Sequence, residues 1–155
     1  MRNPFMARAI ELSIENVRAG RGGPFAAVIV KGGETIAQGV NCVTSANDPT
    51  AHAEIMAIRE ACRKLRAFAL DECELYASCE PCPMCLGAIY WARLERVYFA
   101  ARSADASEAG FDDSFIYREL ARPGEQRKIP MLPLMREEAL AAFRDWAAKS
   151  DKIPY

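Results

Sequence analysis

A chain of 155 residues, 51% hydrophobic and 26% charged, is long enough for one domain with a sizeable core. Twenty basic against twenty-one acidic side chains leave a net charge of -1, without the basic excess needed to neutralise many phosphates, so nucleic acid is not an expected partner. The opening Met1-Arg2-Asn3-Pro4-Phe5 lacks the apolar run of a secretory signal, and no stretch approaches the roughly 18 apolar residues of a membrane span; no membrane partner and a cytoplasmic location are expected.

In chain order, the segment from about Pro4 to Ala19 is helix-like, with Phe5, Ala9, Leu12, Ile14 and Val17 along it, and the Ala19-Gly20-Arg21-Gly22-Gly23-Pro24 run ends it. Ala26 to Lys31 is a short apolar strand, Gly32-Gly33 a hairpin turn, and Thr35 to Val43 the antiparallel return strand. Ala51 to Leu65 is rich in strong helix formers, and Ile55, Ile58, Ala61 and Cys62 are spaced to face inward. The close cations Arg59, Arg63, Lys64 and Arg66 read as the solvated face of that helix.

Glu74 to Ser78 then reads as a strand, Cys82 to about Ala92 as a helix entered through Glu80-Pro81, and Arg96 to Ala100 as another strand. The tail adds a strand at Met131 to Leu134 and a helix from Glu137 to about Lys149. Helix follows strand twice, which predicts an α/β fold: a three-layer α/β/α sandwich on a mixed sheet of about five strands. With no repeat, low-complexity tract or long linker, residues 1–155 are expected to form a single domain.

Of six cysteines, two form the pair Cys82-x-x-Cys85. A chain with this much core does not need disulfides, so reduced thiols and a metal site account for them better, with Cys42, Cys62, Cys73 and Cys79 as small buried hydrophobes. His52-Ala53-Glu54 followed by Pro81-Cys82-Pro83-Met84-Cys85 is the His-x-Glu with Pro-Cys-x-x-Cys signature of zinc deaminases. His52, Cys82 and Cys85 supply one nitrogen and two sulfurs, leaving the fourth tetrahedral position for water, as a catalytic zinc requires; a structural site would draw a fourth ligand from a spare cysteine. Both ligand groups stand at helix starts, where the helix dipole favours thiolate and stabilises developing negative charge. Bound zinc lowers the pKa of its water to about 7, and Glu54, two residues past the ligand, is placed to move that water's proton to a ring nitrogen and then to the leaving amine.

These motifs resemble the cytidine-deaminase-like superfamily and, within it, the bacterial guanine deaminases. The resemblance runs over nearly the whole chain. It is carried by Gly22-Gly23-Pro24-Phe25, by Asn47 to Glu54, by Ser78 to Trp91, and most distinctively by Glu108-Ala109-Gly110-Phe111-Asp112-Asp113-Ser114-Phe115-Ile116-Tyr117. Relatives that deaminate adenosine in transfer RNA typically carry Val between the cysteines and Lys-Thr-Gly-Ala in the later stretch; neither is present.

The resemblance implies a cytoplasmic hydrolase of purine catabolism, with one zinc per subunit, converting guanine to xanthine and ammonia. It further implies that Asn41 bonds the purine edge, that Phe25 and Trp91 line the pocket against the flat ring, that the amide of Ala53 contacts the base, and that Asp113 binds the guanine edge and shuttles protons. Read as residues alone, Phe25 and Trp91 have core as their alternative and Asn41 a turn, while Asp112 could fill the role in place of Asp113, or an aspartate here cap a helix from Ser114 onwards. In similar enzymes the terminal segment closes over the neighbouring subunit's site. That implies a homodimer in which residues from about 137 to 155 are exchanged and Tyr155 reaches the substrate. The alternatives left open are a guanosine deaminase, a transfer-RNA adenosine deaminase, an amino-triazine (ammeline) deaminase, and, from another class, a zinc-stabilised binding module.

Overall fold

The computed structural model describes residues 2–155. Helix α1 (Pro4–Arg18) opens the chain. Its N-cap is Asn3, whose Oδ1 accepts from the backbone N–H groups of Phe5 and Met6 at 3.0 Å, and Pro4 fills the first turn, where no donor is needed. Strands β1 (Ala26–Lys31) and β2 (Glu34–Val40) form an antiparallel hairpin, Lys31 opposite Glu34. Gly32 and Gly33 make the turn with φ of 57° and 82°, the left-handed pair that a two-residue hairpin loop requires.

A short helix α2 (Val43–Ala46) precedes helix α3 (Ala53–Leu65). Strand β3 (Cys73–Cys79), helix α4 (Pro83–Trp91) and strand β4 (Arg96–Ala101) follow, then helices α5 (Ser103–Glu108) and α6 (Ser114–Leu120), one 3-10 turn (Gly124–Gln126) and helix α7 (Arg136–Ala148). The sheet order is β2-β1-β3-β4, with β1 antiparallel to β2 and β3, and β3 parallel to β4.

This is a mixed sheet of four strands among the described residues, not about five. The segment from Met131 to Leu134, expected as a strand, is irregular. Pro130 and Pro133 explain why: proline has no N–H to give a ladder, and one just before and one inside a four-residue run leave too few donors to pair.

The alternating side chains of β1 and β3 build two cores, one per face. On one face Ala27, Ile29, Leu75 and Ala77 pack with Ala53, Ala57 and Ala61 of α3 and Ile89 of α4. On the other, Ala26, Val28, Val30 and Tyr76 meet Ala9 and Leu12 of α1. Helices thus cover both faces, which makes the three layers. The inward line of α3 differs from the expected one. The fully buried positions are Ala53, Glu54, Ala57 and Ala61, while Ile55, Ile58 and Cys62 are half-buried. Small residues face the sheet because the helix lies almost on the strand: a Cβ on Gly39 of β2 would stand 2.2 Å from the Ala53 carbonyl oxygen and 2.4 Å from the Ala57 nitrogen.

The basic cluster on α3 faces outward, and three of its members pair with acids: Arg63 with Glu60 (2.7 Å), Lys64 with Glu60 (3.6 Å) and Arg59 with Asp48 (3.7 Å). Among the described residues no helix is long and apolar enough to cross a membrane. All six cysteines are free; Cys73 and Cys79 are buried as expected, whereas Cys42 and Cys62 are only half-buried. The chain divides into two compact units, one ending at Asp113 and the other Ser114–Tyr155.

Candidate active site

The metal ligands come from the starts of two helices. His52 is the N-cap of α3 and Cys82 the N-cap of α4, each with extended backbone, and neither side chain caps its own helix. An N-cap side chain ordinarily turns back to accept a helix N–H; these two point away toward a common centre. Pro83 at the first position of α4 fixes the helical φ there. Cys85, three residues past Cys82, comes round one turn and is fully buried.

The Nδ1 of His52 lies 3.5 Å from the Sγ of Cys82 and 3.5 Å from the Sγ of Cys85, and the three ligand atoms all lie within 4.8 Å of one another. Zinc bonds of ~2.3 Å to sulfur and ~2.05 Å to nitrogen at a tetrahedral angle put the ligand atoms about 3.6 Å apart. The two nitrogen–sulfur separations therefore match the edges of a tetrahedral zinc site, and the donor set of one imidazole and two thiols is the one zinc takes.

The electrostatics fit the same ion. The Cys82 thiol is drawn down to about 4, first by its hydrogen bond with Cys85 and then by His52, against the opposing effect of burial. Cys85 is pushed up by that same bond and by burial. The pair by itself holds one thiolate and one thiol, and a dication supplies the charge that makes both thiolate.

Glu54, one residue into α3, is 7% exposed, and its Oε2 accepts from the Cys85 thiol at 3.5 Å. Burial, the dominant cause, raises its carboxyl above the ordinary carboxylate range. A carboxylate destabilised in this way is a stronger base than an exposed one.

Beside these groups is a cavity of about 250 Å3 lined by Phe25, Asn41, His52, Glu54, Cys82 and Asp113, among others. Asn41, at the end of β2, is buried, and its Oδ1 accepts from the backbone N–H groups of Gly23 and Val43, both at 3.2 Å. Asp113 has its carboxyl raised, chiefly by burial and then by the nearby Cys82 thiolate. Asp112 is exposed and accepts from the Ser107 hydroxyl at 3.4 Å.

Ala53, Trp91 and Tyr155 are the remaining expected residues. Ala53 is buried beneath Gly39 and is not among the lining residues. Trp91, the last residue of α4, is 69% exposed and also absent from the lining. Tyr155 belongs to the second unit and is 74% exposed.

Several lining residues were not singled out in the sequence. Phe111 packs edge-on against Phe25 with ring centroids 5.0 Å apart, closing one side of the cavity. Gly110, at a φ of 92°, turns the chain just before it. The Gly110-Phe111-Asp112-Asp113 run was the available clue. Val43 and Thr44 of α2, and Ser103 and Ala106 of α5, also line the space; these helices of four and six residues are too short to show periodicity. Glu80 lines it too, its Oε2 accepting from the N–H of Ser103 at 3.1 Å.

Comparison with known proteins agrees with this site. The guanine deaminase of Bacillus subtilis (strain 168) is 58% identical over 151 residues, 97% of each chain. A solved structure of a Bacillus subtilis guanine deaminase superposes with a TM-score of 0.97 at 56% identity, over 100% of this chain and 99% of that one. A structure of guanine deaminase from Nitrosomonas europaea covers 96% of this chain and 87% of its own, at 35% identity and a TM-score of 0.68. The tRNA-specific adenosine deaminase of Aquifex aeolicus (strain VF5), 51% identical, aligns over only 78 residues, 50% of this chain and 52% of its own. The pattern of the cytidine and deoxycytidylate deaminase zinc-binding region matches residues 2–101, which contain His52, Glu54, Cys82 and Cys85. On this match and on likeness to the Bacillus enzyme along almost its whole length, the chain belongs to the cytidine and deoxycytidylate deaminase zinc-binding family.

Proposed function

We propose that this chain hydrolyses guanine to xanthine and ammonia. The observation that carries the reaction is the buried Glu54 carboxylate set against the His52, Cys82 and Cys85 triad, at the wall of a cavity sized for a small molecule. The observation that favours guanine is where the likeness extends. It spans 97% of the guanine deaminase of Bacillus subtilis, but only about half of the transfer-RNA deaminase of Aquifex aeolicus.

His52, Cys82 and Cys85 hold the zinc. When bound, that ion lowers the pKa of a water to about 7, making it a nucleophile near neutrality. Glu54 takes one proton from the attacking water, gives it to the adjacent ring nitrogen as the carbon bearing the amine accepts oxygen, and then transfers the second proton to the nitrogen that leaves as ammonia. The two backbone bonds to Asn41 Oδ1 turn its amide nitrogen to the ligand, as a donor for the acceptors of the purine edge. Phe25, held edge-on by Phe111, offers its ring to the flat base. Asp113 receives the N–H groups of guanine and passes a proton to the departing amine; its raised carboxyl supports this role. Ala53 contributes its amide to the base.

We assign Trp91 and Tyr155, both largely exposed in the single chain, to a homodimer in which residues from about 137 to 155 are exchanged. Both units then act as a single zinc deaminase domain, with one zinc per subunit. The support is the apolar surface of the second unit, where Leu134 is 86% exposed. Six free cysteines are in keeping with the reducing cytoplasm.

Ammonia release from guanine, guanosine, ammeline and a transfer-RNA anticodon stem tests the reading. Guanine is expected to react fastest. Preference for any of the others overturns the substrate, and bound zinc with no ammonia from any of them leaves only a zinc-stabilised binding module.

A further inference from the structure

We infer that Asn16, on α1 and outside the cavity, is a positioning residue that sets the purine-recognising face of Asn41. The inference rests on the reading of Asn41 as a purine contact. Asn16 is 0% exposed and occupies the last turn of a helix, where asparagine is a poor helix former. Its Oδ1 is buried with no hydrogen-bond partner among the described residues. Each of these features costs stability, and an aliphatic side chain would avoid them all. What an aliphatic residue lacks is the two donors of the amide, and both are used: Asn16 Nδ2 donates to the carbonyl of Gly23 and to the carbonyl of Asn41, each at 2.9 Å.

Those two carbonyls belong to the pair of segments that build the recognition wall. The N–H of Gly23 donates to the side-chain Oδ1 of Asn41, and the N–H of Asn41 donates to the carbonyl of Phe25 at 3.0 Å. Asn16 Nδ2 therefore joins the main chains that Gly23 and Asn41 already link through the Asn41 side chain, closing a ring around the amide. The two segments are pressed together without slack. A Cβ on Gly22 would lie 2.2 Å from the carbonyl oxygen of Asn41, the same oxygen that accepts from Asn16. At its other end Asn16 is tied to the turn by its own carbonyl, which accepts from the N–H of Arg21 at 3.2 Å. Without the amide of Asn16, the Gly23 peptide and the Asn41 carbonyl lose their shared anchor, and the Gly23 half of the pair of bonds that orients the Asn41 side chain loses its support, leaving the Val43 N–H. The zinc ligands and Glu54 stand on α3 and α4, to which the Asn16 side chain donates nothing.

The test is a double-mutant cycle on the full-length zinc enzyme, with guanine as substrate. Asn16→Ala is expected to raise KM about tenfold or more and to leave kcat within about twofold, with zinc content unchanged. In an Asn41→Ala background, where the group it positions is gone, Asn16→Ala is expected to change KM by less than about twofold. A purely structural role would give the same loss in both backgrounds, and that result, an unchanged KM in the first background, or a fall in kcat alone overturns the inference. If Asn16→Ala does not accumulate as folded enzyme, Asn16→Ser, which retains one donor, is read in the same two backgrounds; failure of that variant to fold also overturns it. An Asn41→Ala enzyme with wild-type KM overturns instead the assignment of Asn41 as a purine contact, and the two failures are thereby told apart.

Discussion

The residues up to Asp113 and the residues Ser114–Tyr155 differ sharply in how they treat apolar side chains. The first unit holds the buried core, with every fully buried aliphatic residue from Ala9 to Ala92, and leaves only part of its apolar side chains, such as Tyr90 and Trp91, outside it. The second contains no buried residue at all, although Ile129, Leu132, Leu134, Phe143, Trp146 and Ile153 are spread along it. A segment with that much uncovered apolar surface is built to be covered. The first unit also holds the whole zinc triad, Glu54 and the cavity. The candidate catalytic groups thus all belong to the first unit, and the exchanged dimer proposed above would give the second unit the work of assembly.

The strongest check on this division removes the proton carrier and nothing else. Glu54→Gln keeps the shape of the side chain, so the first unit should fold and bind zinc as before, while ammonia release falls by about 100- to 10,000-fold. Zinc content and turnover measured on the same preparation decide it, and deamination at the wild-type rate would show that the protons move by another route.

Next in size is a change to the first unit's own packing. Gly39→Ala drives a methyl into the Ala53 carbonyl and the Ala57 nitrogen, where α3 must lift from β2. Overpacking of this kind costs about 1–3 kcal/mol, read as a lower urea midpoint. Because His52 and Glu54 begin the displaced helix, zinc affinity should fall along with stability. A variant as stable as the parent would mean that the helix stands further from the strand than its contacts indicate.

How much of this was legible in the sequence depends on whether the signal was local. Ala26–Lys31 is readable because an apolar run stops at two glycines, and the metal triad is readable because Cys-x-x-Cys after His-x-Glu has few other uses. The four-strand count was not, since Met131 to Leu134 is largely apolar like a strand, and Pro130 before it and Pro133 within it decide against it. The inward face of α3 misleads for a related reason: hydrophobicity points to Ile55 and Ile58, whereas the closeness forced by Gly39 selects alanines. Asn16 could not be found at all, and Phe111 only as a member of the Gly110-Phe111-Asp112-Asp113 run, without its packing. Their roles exist only where α1, the Gly22–Gly23 turn, the end of β2 and the Gly110 loop meet in space.

The tail provides a smaller effect and the most direct test of what divides the units. Deleting Asp151–Tyr155 leaves the triad untouched, so zinc content should not change. The loss of one aromatic contact with substrate, ~1.4 kcal/mol, predicts about a tenfold fall in kcat/KM. Sedimentation of the same truncation should show a weaker dimer. Unchanged kinetics would make Tyr155 an ordinary chain end and confine function to the first unit.

The smallest effect expected is at Asp48, in the turn that leads into His52 in the first unit. Its Oδ1 accepts from the Thr50 hydroxyl at 2.7 Å and from the Thr50 N–H at 2.8 Å. These bonds, the hydroxyl first and aided by Arg59, lower its carboxyl below the ordinary 3.8. A carboxyl lowered by folding stabilises the fold above its unfolded value and loses that contribution as pH falls through the folded one. Asp48→Asn should therefore be slightly less stable than the parent at pH 7, and the gap should close as both proteins are acidified below about 3.8. Denaturant midpoints at pH 7 and pH 3 measure it. A gap independent of pH would assign the turn's rigidity to the shape of the side chain rather than its charge, and the approach to His52 would then be set by Pro49 and the backbone alone.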